Sequence, residues 1–375
     1  MMTFTLSVDA VVLRKHLHAT ASNFADAGSS LTPVIKGNGY GFGRELLAQE
    51  SATLGAQKIC VGTIWEVESV ADIFPGLIHV LEPISTVDSD AINKWREVLT
   101  KYSDRLLATI NSVDMSGLVE LGVRHVVIEC LTSLHRFGLS PHNVAAALSS
   151  LSSEINVNGF NIHLPIAEPT TNSFAFTPGK AFRHHNSRMQ EVLGWINWLR
   201  DIVATTQVQL AVSVSHVTTD DLKVIKKHAS DVVLDVRSGT QLWLGASGAL
   251  KVTGTVLEVH DIQATTHVGY SQTAGKGKLV VVSGGTSHGV ALSAPATTRS
   301  LRKRGIAIAE GFSQALGKVR SPFIFRGKNL QFAEPPHMHV SMLWCDDPEI
   351  KVGDQLPCTI RNTTAHFDVV VGLEK

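Results

Sequence analysis

The sequence predicts a (β/α)8 barrel of TIM type followed by a smaller, mostly β C-terminal domain, and three observations carry that reading. At 375 residues the chain exceeds one ordinary domain. From about Val11 to Leu244, short β-branched runs alternate with stretches of helical period, the pattern of repeated βα units with a parallel sheet. After Gly245 the texture changes to short strands with glycine turns. The division therefore falls at 1–245 and 246–375, with the first residues able to join the β domain.

Eight strands are expected in the first region: Thr32 to Lys36, Lys58 to Gly62, Ile78 to Leu81, Arg105 to Thr109, His125 to Glu129, Gly159 to His163, Gln207 to Ser215 and Val232 to Val236. Between them lie helical patterns such as Arg44 to Leu54, Trp65 to Phe74, Val113 to Leu121, Pro141 to Leu151, Met189 to Val203 and Thr219 to His228. Eight strands in that length fit a closed barrel better than a doubly wound sheet, because no Gly-rich dinucleotide loop follows the first strand. Residues 164–187, rich in Pro, Thr, Asn and His, read as a long loop over the barrel mouth or an ordered excursion. The later strands are expected at Gly254 to Val259, Lys278 to Val282, Phe323 to Phe325, His339 to Leu343 and Gln355 to Ile360.

Composition narrows the partners. Lysine plus arginine number 33 and so do aspartate plus glutamate, which leaves no excess charge for nucleic acid or an anionic membrane. A small molecule is the better prior. Cys60, Cys130, Cys345 and Cys358 are widely spaced and lack a CxxC pair, so reduced core thiols in a cytoplasmic protein are expected. The start of the chain lacks a signal-peptide pattern, and no segment reaches membrane-spanning length.

Chemistry is concentrated at Pro33-Val34-Ile35-Lys36-Gly37-Asn38-Gly39-Tyr40-Gly41-Phe42-Gly43, a lysine ending the first strand and followed by alternating glycines. In a barrel that strand end is the C-terminal mouth, where active sites lie. A lysine among apolar neighbours has a lowered pKa and can form an imine with an aldehyde cofactor. Glycines let the backbone approach a ring, and the Tyr40 hydroxyl can reach a phosphate oxygen. On spacing alone, an exposed lysine before a glycine-rich turn is the commoner explanation.

This stretch resembles the KANAYGHG motif of alanine racemases, with Gly37 and Gly39 for alanines and Phe42 for histidine. The resemblance implies that Lys36 carries pyridoxal 5'-phosphate and serves as one catalytic base, with Tyr40 on the cofactor phosphate. Glu129-Cys130-Leu131-Thr132-Ser133-Leu134-His135-Arg136-Phe137-Gly138 resembles the family's K-x-D-T-G-M-x-R-x-G. It implies that Arg136 contacts the cofactor's phenolic oxygen and the substrate carboxylate, with Glu129 replacing a carbamylated lysine as its acceptor. Asp235 to Gly245 resembles VRPG-(I/A)-x-x-YG, which implies Arg237 facing the pyridine nitrogen and Gly239 and Thr240 cradling the phosphate. His163 matches the histidine behind the ring, and His216 stands where a phosphate contact is expected.

The β domain resembles the family less. The family's β domain supplies a catalytic tyrosine to the neighbouring subunit, so a head-to-tail homodimer is implied. At its GYADGY segment this chain reads Val282 to Gly289, with Gly284 in the tyrosine's position, while Val268-Gly269-Tyr270-Ser271-Gln272-Thr273 resembles VSYGxTY. The candidates for the second acid/base, in order, are His288, His337 and Tyr270. Val340-Ser341-Met342 resembles the family's V-S-M-D, whose backbone binds substrate carboxylate, although it continues with Leu343, and the resemblance marks Met342. His337 and His339, two apart on an extended segment, would point to one side and could share a metal, although the metal-free reading is preferred. The leading expectation is an amino-acid racemase or epimerase. The alternatives are a metal-assisted D-amino-acid aldolase or dehydratase, and a non-catalytic pyridoxal-phosphate-binding protein.

Overall fold

A computed structural model describes residues 3–114, 116–264, 266–270, 273–292 and 319–373, with the side chains of 273 and 274 excepted. The chain divides into two compact units. The barrel unit comprises Arg14–Gly37 and Gly43–Gly245; the β unit comprises Met1–Leu13, Asn38–Phe42 and Ala246–Lys375.

The chain begins with strand β1 (Phe4–Val8) and helix α1 (Ala10–Asp26). The barrel strands follow as β2 (Ser30–Pro33), β3 (Lys58–Val61), β4 (Leu77–Pro83), β5 (Leu106–Ile110), β6 (His125–Glu129), β7 (Asn156–Ile162), β8 (Ala211–Ser215) and β9 (Val233–Ser238). All are parallel, in the order β2-β9-β8-β7-β6-β5-β4-β3. The two ends of that order meet at a Val34–Cys60 bridge, where Ile35 N–H donates to the Cys60 carbonyl at 2.8 Å. The fold is thus the nearly closed TIM-like barrel that the sequence predicts.

Around it lie α2 (Arg44–Thr53), α3 (Glu68–Ala71), α4 (Ser89–Tyr102), α5 (Leu118–Leu121), α6 (Pro141–Ser150), α7 (Ser187–Val203), α8 (Thr219–His228) and α9 (Thr240–Leu244). Their starts are written locally. Asp88, Ser140 and Asn186 each accept backbone N–H bonds as N-caps, and Thr218 with Asp221 forms a capping box. Two expected helices are much shorter than their patterns. The stretch from Val113 yields only α5, because Ser112 and Asp114 accept nearby N–H groups and Gly117 and Gly122 take positive φ at either end. The stretch from Trp65 breaks into a 3₁₀ turn (Ile64–Glu66) and α3.

Residues 164–186 are an ordered excursion with two 3₁₀ turns, Thr171–Ser173 and Lys180–Phe182. Arg188 ties its root by donating to the carbonyls of Ile166 and His216, both at 2.8 Å.

The β unit contains β10 (Leu250–Ile262), β11 (His267–Val268), β12 (Thr273–Ala274), β13 (Gly277–Ser283), β14 (Arg320–Phe325), β15 (Lys328–Phe332), β16 (Val340–Cys345), β17 (Gln355–Pro357) and β18 (Val369–Val371). Its main sheet runs β14-β15-β16-β13-β10-β1-β18, with β17 also on β10. The N-terminal strand β1 therefore belongs to this unit, antiparallel to β10 and parallel to β18. Phe4 anchors the core, stacked on Phe367 at 5.4 Å and edge-on to Phe323 at 6.3 Å. All four cysteines are buried and unpaired. Among the described residues no helix is long and apolar enough to cross a membrane.

Candidate active site

Lys36 leaves the barrel just after β2, and its backbone is held from both sides. Glu66 accepts the N–H groups of Gly37 at 3.1 Å and Gly62 at 2.7 Å, while Arg44 donates to the Gly37 carbonyl at 2.5 Å. The packing at Gly62 is tight, since a Cβ there would lie 3.0 Å from the Glu66 carboxylate and 3.2 Å from the Lys36 Cβ. Gly37 has φ +66, a conformation that alanine adopts only at a cost of about 1 kcal/mol, which accounts for glycine at this position. Lys36 is open to solvent. Desolvation first, and then the charges of Arg136 and Arg237, lower its pKa from the usual lysine range.

Arg237, on β9, is buried, and its Nε and Nη2 have no hydrogen-bond partner among the described residues. An orphaned guanidinium of this kind calls for an acceptor from outside the barrel unit's own side chains. His163, after β7, is held neutral. Its Nδ1 lies 2.7 Å from Ser215 Oγ, and that oxygen also accepts the Leu164 N–H, so the hydroxyl can donate to Nδ1 and leave the proton on Nε2. Burial, then Arg237 and Arg136, push the His163 pKa down to about 2. His216 packs against it at 5.5 Å with φ +57, and desolvation followed by Arg188 and Arg237 lowers its pKa too.

The loop carrying Arg136 rises from β6. Glu191 on α7 anchors it, accepting the N–H and hydroxyl of Ser133 at 2.5 and 2.6 Å, while Thr132 donates to the His163 carbonyl at 2.6 Å. Gly138 closes the loop where a Cβ would sit 2.5 Å from the Cys130 backbone. Arg136 itself is exposed. The ion pair expected between Glu129 and Arg136 is absent among the described residues; Glu129 instead bonds to Asn161, and Arg237 is its strongest charged neighbour. The reason is burial: Glu129 lies inside the barrel and its pKa is raised by desolvation, whereas Arg136 faces solvent. Gly239 precedes α9 and Thr240 opens it, beside Arg237 in the chain.

The mouth thus gathers Lys36, Arg136 and Arg237 around two imidazoles that resist protonation, with one buried acid among them. Such a cup is suited to a small polyanion. The residues from 8 to 219 match the family model of the alanine racemase N-terminal domain. The chain belongs to the alanine racemase family. A curated alanine racemase from a Nitratiruptor species is 28% identical over 138 residues, 36% of each protein. The alanine racemase of Nitratidesulfovibrio vulgaris (strain DP4) is 23% identical over 291 residues, 74% of this chain and 72% of that protein. The solved alanine racemase of Bartonella henselae, described with covalently bound pyridoxal phosphate, shares the fold with a TM-score of 0.61 at 15% identity, over 95% of this chain and 90% of that one. The alanine racemase family match ends before Arg237, Gly239 and most of the β unit.

Within that unit the expected residues separate. Tyr40 is buried, with φ +55, in the 38–42 segment whose Asn38 donates to the carbonyls of Asn362 and Ala365. His288, first among the expected second bases, is a core residue: its Nδ1 accepts the Gly285 N–H at 3.2 Å, its Nε2 meets Asp368 at 3.2 Å, and Phe4 packs on its ring at 5.2 Å. Met342 sits inside β16 opposite Val281, its carbonyl accepting the Ala333 N–H and its side chain packed on Val268, Leu279 and Ala333.

Tyr270 and His337 come together at a surface cleft of about 680 Å³, with ring centroids 4.7 Å apart. Buried Glu334 bonds His337 Nε2 at 2.6 Å, while Tyr270 is 88% exposed. Gly269 sets this approach, because with φ +75 it lies where a Cβ would be 2.3 Å from the Glu334 carboxyl carbon. Ser271 and Gln272 lie outside the described residues. His337 and His339 do not converge. Their segment is a bend rather than a strand, so His337 turns to Tyr270 and Glu334 while His339 turns to His288 at 6.1 Å.

Glu66 and Glu191 were not legible as site residues, because they act on groups distant in the chain, Gly37 for Glu66 and Ser133 for Glu191.

Proposed function

We propose that this chain is a pyridoxal-phosphate-dependent amino-acid racemase or epimerase, active as a head-to-tail homodimer. The observation that supports it best is the buried Arg237 with two unpartnered nitrogens, in the same barrel mouth as a lysine of lowered pKa. The barrel unit's residues fit the cofactor: Lys36 to hold it, Arg237 toward the ring nitrogen, neutral His163 beside the ring, and His216, Gly239 and Thr240 for the phosphate, to which the motif resemblance adds Tyr40. When bound, pyridoxal phosphate supplies the electron withdrawal that loosens the substrate's α-proton.

Every other part is played by the chain itself. Arg136 pairs with the substrate carboxylate. Lys36 Nζ, once free, takes or returns the α-proton on one side, helped by neighbours that disfavour its charged form. Arg237 would donate to the ring nitrogen of the bound cofactor and, as a permanent cation, would keep a proton off it. A proton must also be delivered from the opposite side, and Tyr270 of the second subunit is the group best suited. Its hydroxyl is exposed, and His337 with Glu334 lies against it. We rank His288 below it because His288 is buried.

The test joins borohydride reduction of the cofactor-loaded chain, with peptide mapping, to α-proton exchange of amino acids in heavy water. The adduct is expected on Lys36. Tyr270→Phe should lose exchange from one enantiomer and keep the other, and sedimentation should show a dimer. An adduct on another lysine, or no exchange with any amino acid in the loaded wild type, overturns the reading.

A further inference from the structure

We propose that His184, His185 and His228 form a binding site for a divalent transition metal, zinc being the probe of choice, which ties the 164–186 excursion to the end of α8. These are the one group of three or more His, Cys, Asp or Glu residues among the described ones whose ligand atoms all lie within 4.8 Å of one another. They come from two separate elements. His228 stands in the last turn of α8, and the other two precede the Asn186 cap of α7.

The spacing suits coordination. A tetrahedral zinc with nitrogens at about 2.0–2.1 Å keeps its ligand nitrogens roughly 3.3 Å apart. The Nε2 atoms of His185 and His228 are 3.1 Å apart, with their rings at 90°. One N–H···N hydrogen bond could hold that pair alone, but it gives no reason for a third imidazole. His184 is packed on His185 at 3.9 Å between centroids, in a bend that brings two successive side chains to one side. The backbone beneath is fixed: His185 N–H donates to the Phe182 carbonyl at 3.0 Å, and its own carbonyl accepts from Gln190 Nε2 at 2.8 Å. The Phe182 ring stands edge-on to His228 at 6.0 Å and shields one side. His184 and His228 are exposed, so a fourth position opens to water.

The consequence is mechanical. Arg188 ties the root of the excursion, and His135, next to Arg136 in the chain, reaches the Ser173 carbonyl at 2.7 Å. A metal at the three histidines would fix the last third of the same segment.

The experiment uses the full chain stripped by a chelator, then titrated with zinc, and with cobalt(II) as an optical probe of nitrogen coordination. One equivalent per chain is expected. His184→Ala and His228→Ala should each weaken binding by about a hundredfold, at least the loss seen when an outer partner of a ligand is removed. Zinc should slow amide hydrogen exchange across 174–186 in the wild type and not in the variants. Exposed His184→Ala serves alone if His228→Ala disturbs folding. Failure to take up a stoichiometric ion, uptake unchanged in the His184 variant, or uptake without slower exchange in the excursion would each overturn the proposal.

Discussion

Replacing Lys58 by methionine tests how the barrel is closed. Asp235 on β9 accepts hydrogen bonds from Ser213 on β8 and from Ser30 and Thr32 on β2, and pairs with Lys58 on β3 at 3.1 Å. One carboxylate therefore spans the joint where β2 and β3 share only an isolated bridge. Losing one partner of a buried pair costs about 3–5 kcal/mol. Three hydroxyls still donate to Asp235, and the Lys58 side chain is 22% exposed, so about 3 kcal/mol is expected. Burial pushes the Asp235 pKa up, but Lys58 and then Ser213 and Thr32 more than offset this, and the folded pKa lies below its ordinary value. The wild-type contribution is therefore complete above the unfolded pKa of about 3.9 and is lost only as pH falls through the folded pKa. Without Lys58 burial dominates, the folded pKa rises, and the variant's deficit shrinks as the carboxyl protonates. Urea denaturation at pH 7 and pH 5 should show a smaller gap at pH 5, and Lys58→Met/Asp235→Leu should recover much of the loss. A deficit under about 1 kcal/mol, or one independent of pH, refutes the reasoning.

Three further outcomes are expected. Arg237→Met should leave the cofactor-free chain as stable as the wild type or firmer by up to about 2 kcal/mol, because two orphaned donors go. The same variant should show a much smaller thermal shift on adding pyridoxal phosphate; an unchanged shift removes Arg237 from the cofactor site. His288→Ala should cost about 2–4 kcal/mol in a urea melt, through a cavity under Phe4 and a lost partner for Asp368, while the folded variant still exchanges both enantiomers in heavy water. Loss of exchange from one enantiomer would restore His288 as the second base. Gly269→Ala should slow turnover with cofactor binding intact, since a Cβ at φ +75 meets the Glu334 carboxyl; unchanged turnover separates Tyr270 from the reaction.

What the sequence makes legible is what local chemistry decides. β6 and α8 have the bounds expected of them, the second because Thr218 and Asp221 write its start within four residues. The first barrel strand is expected at 32–36 but pairs only over Ser30–Pro33, because beyond Pro33 the chain turns from β9 toward the mouth with a single bridge to β3. Arg237 and His163 stand at strand ends as expected, whereas Lys36 lies three residues past the end of β2. The burial of the first-ranked second-base candidate was not legible. A histidine in a small-residue turn reads as mobile, yet His288 is buried by Phe4 and Asp368, the first of them 284 positions away in the chain. The less favoured alternative, in which His337 and His339 share a metal, assumed a strand, and bends within Ala333–His339 break the alternation. The Glu129–Arg136 pair failed because spacing in a motif does not report which end of a loop is buried.

The route of the backbone bears on how such a protein could be divided. The chain leaves the barrel unit after Gly37, gives residues 38–42 to the β unit, and returns at Gly43. Those five residues are held by Asn362 and Ala365, and Gly41 packs under Phe367. The N-terminal strand lies between β10 and β18 in the same body. A cut at residue 245 would therefore strip β1 of both neighbours and leave 38–42 without the carbonyls that secure Asn38. Neither body is a transferable cassette. A single recombination event cannot exchange one without carrying pieces of the other, and Lys36 is two residues from the crossing.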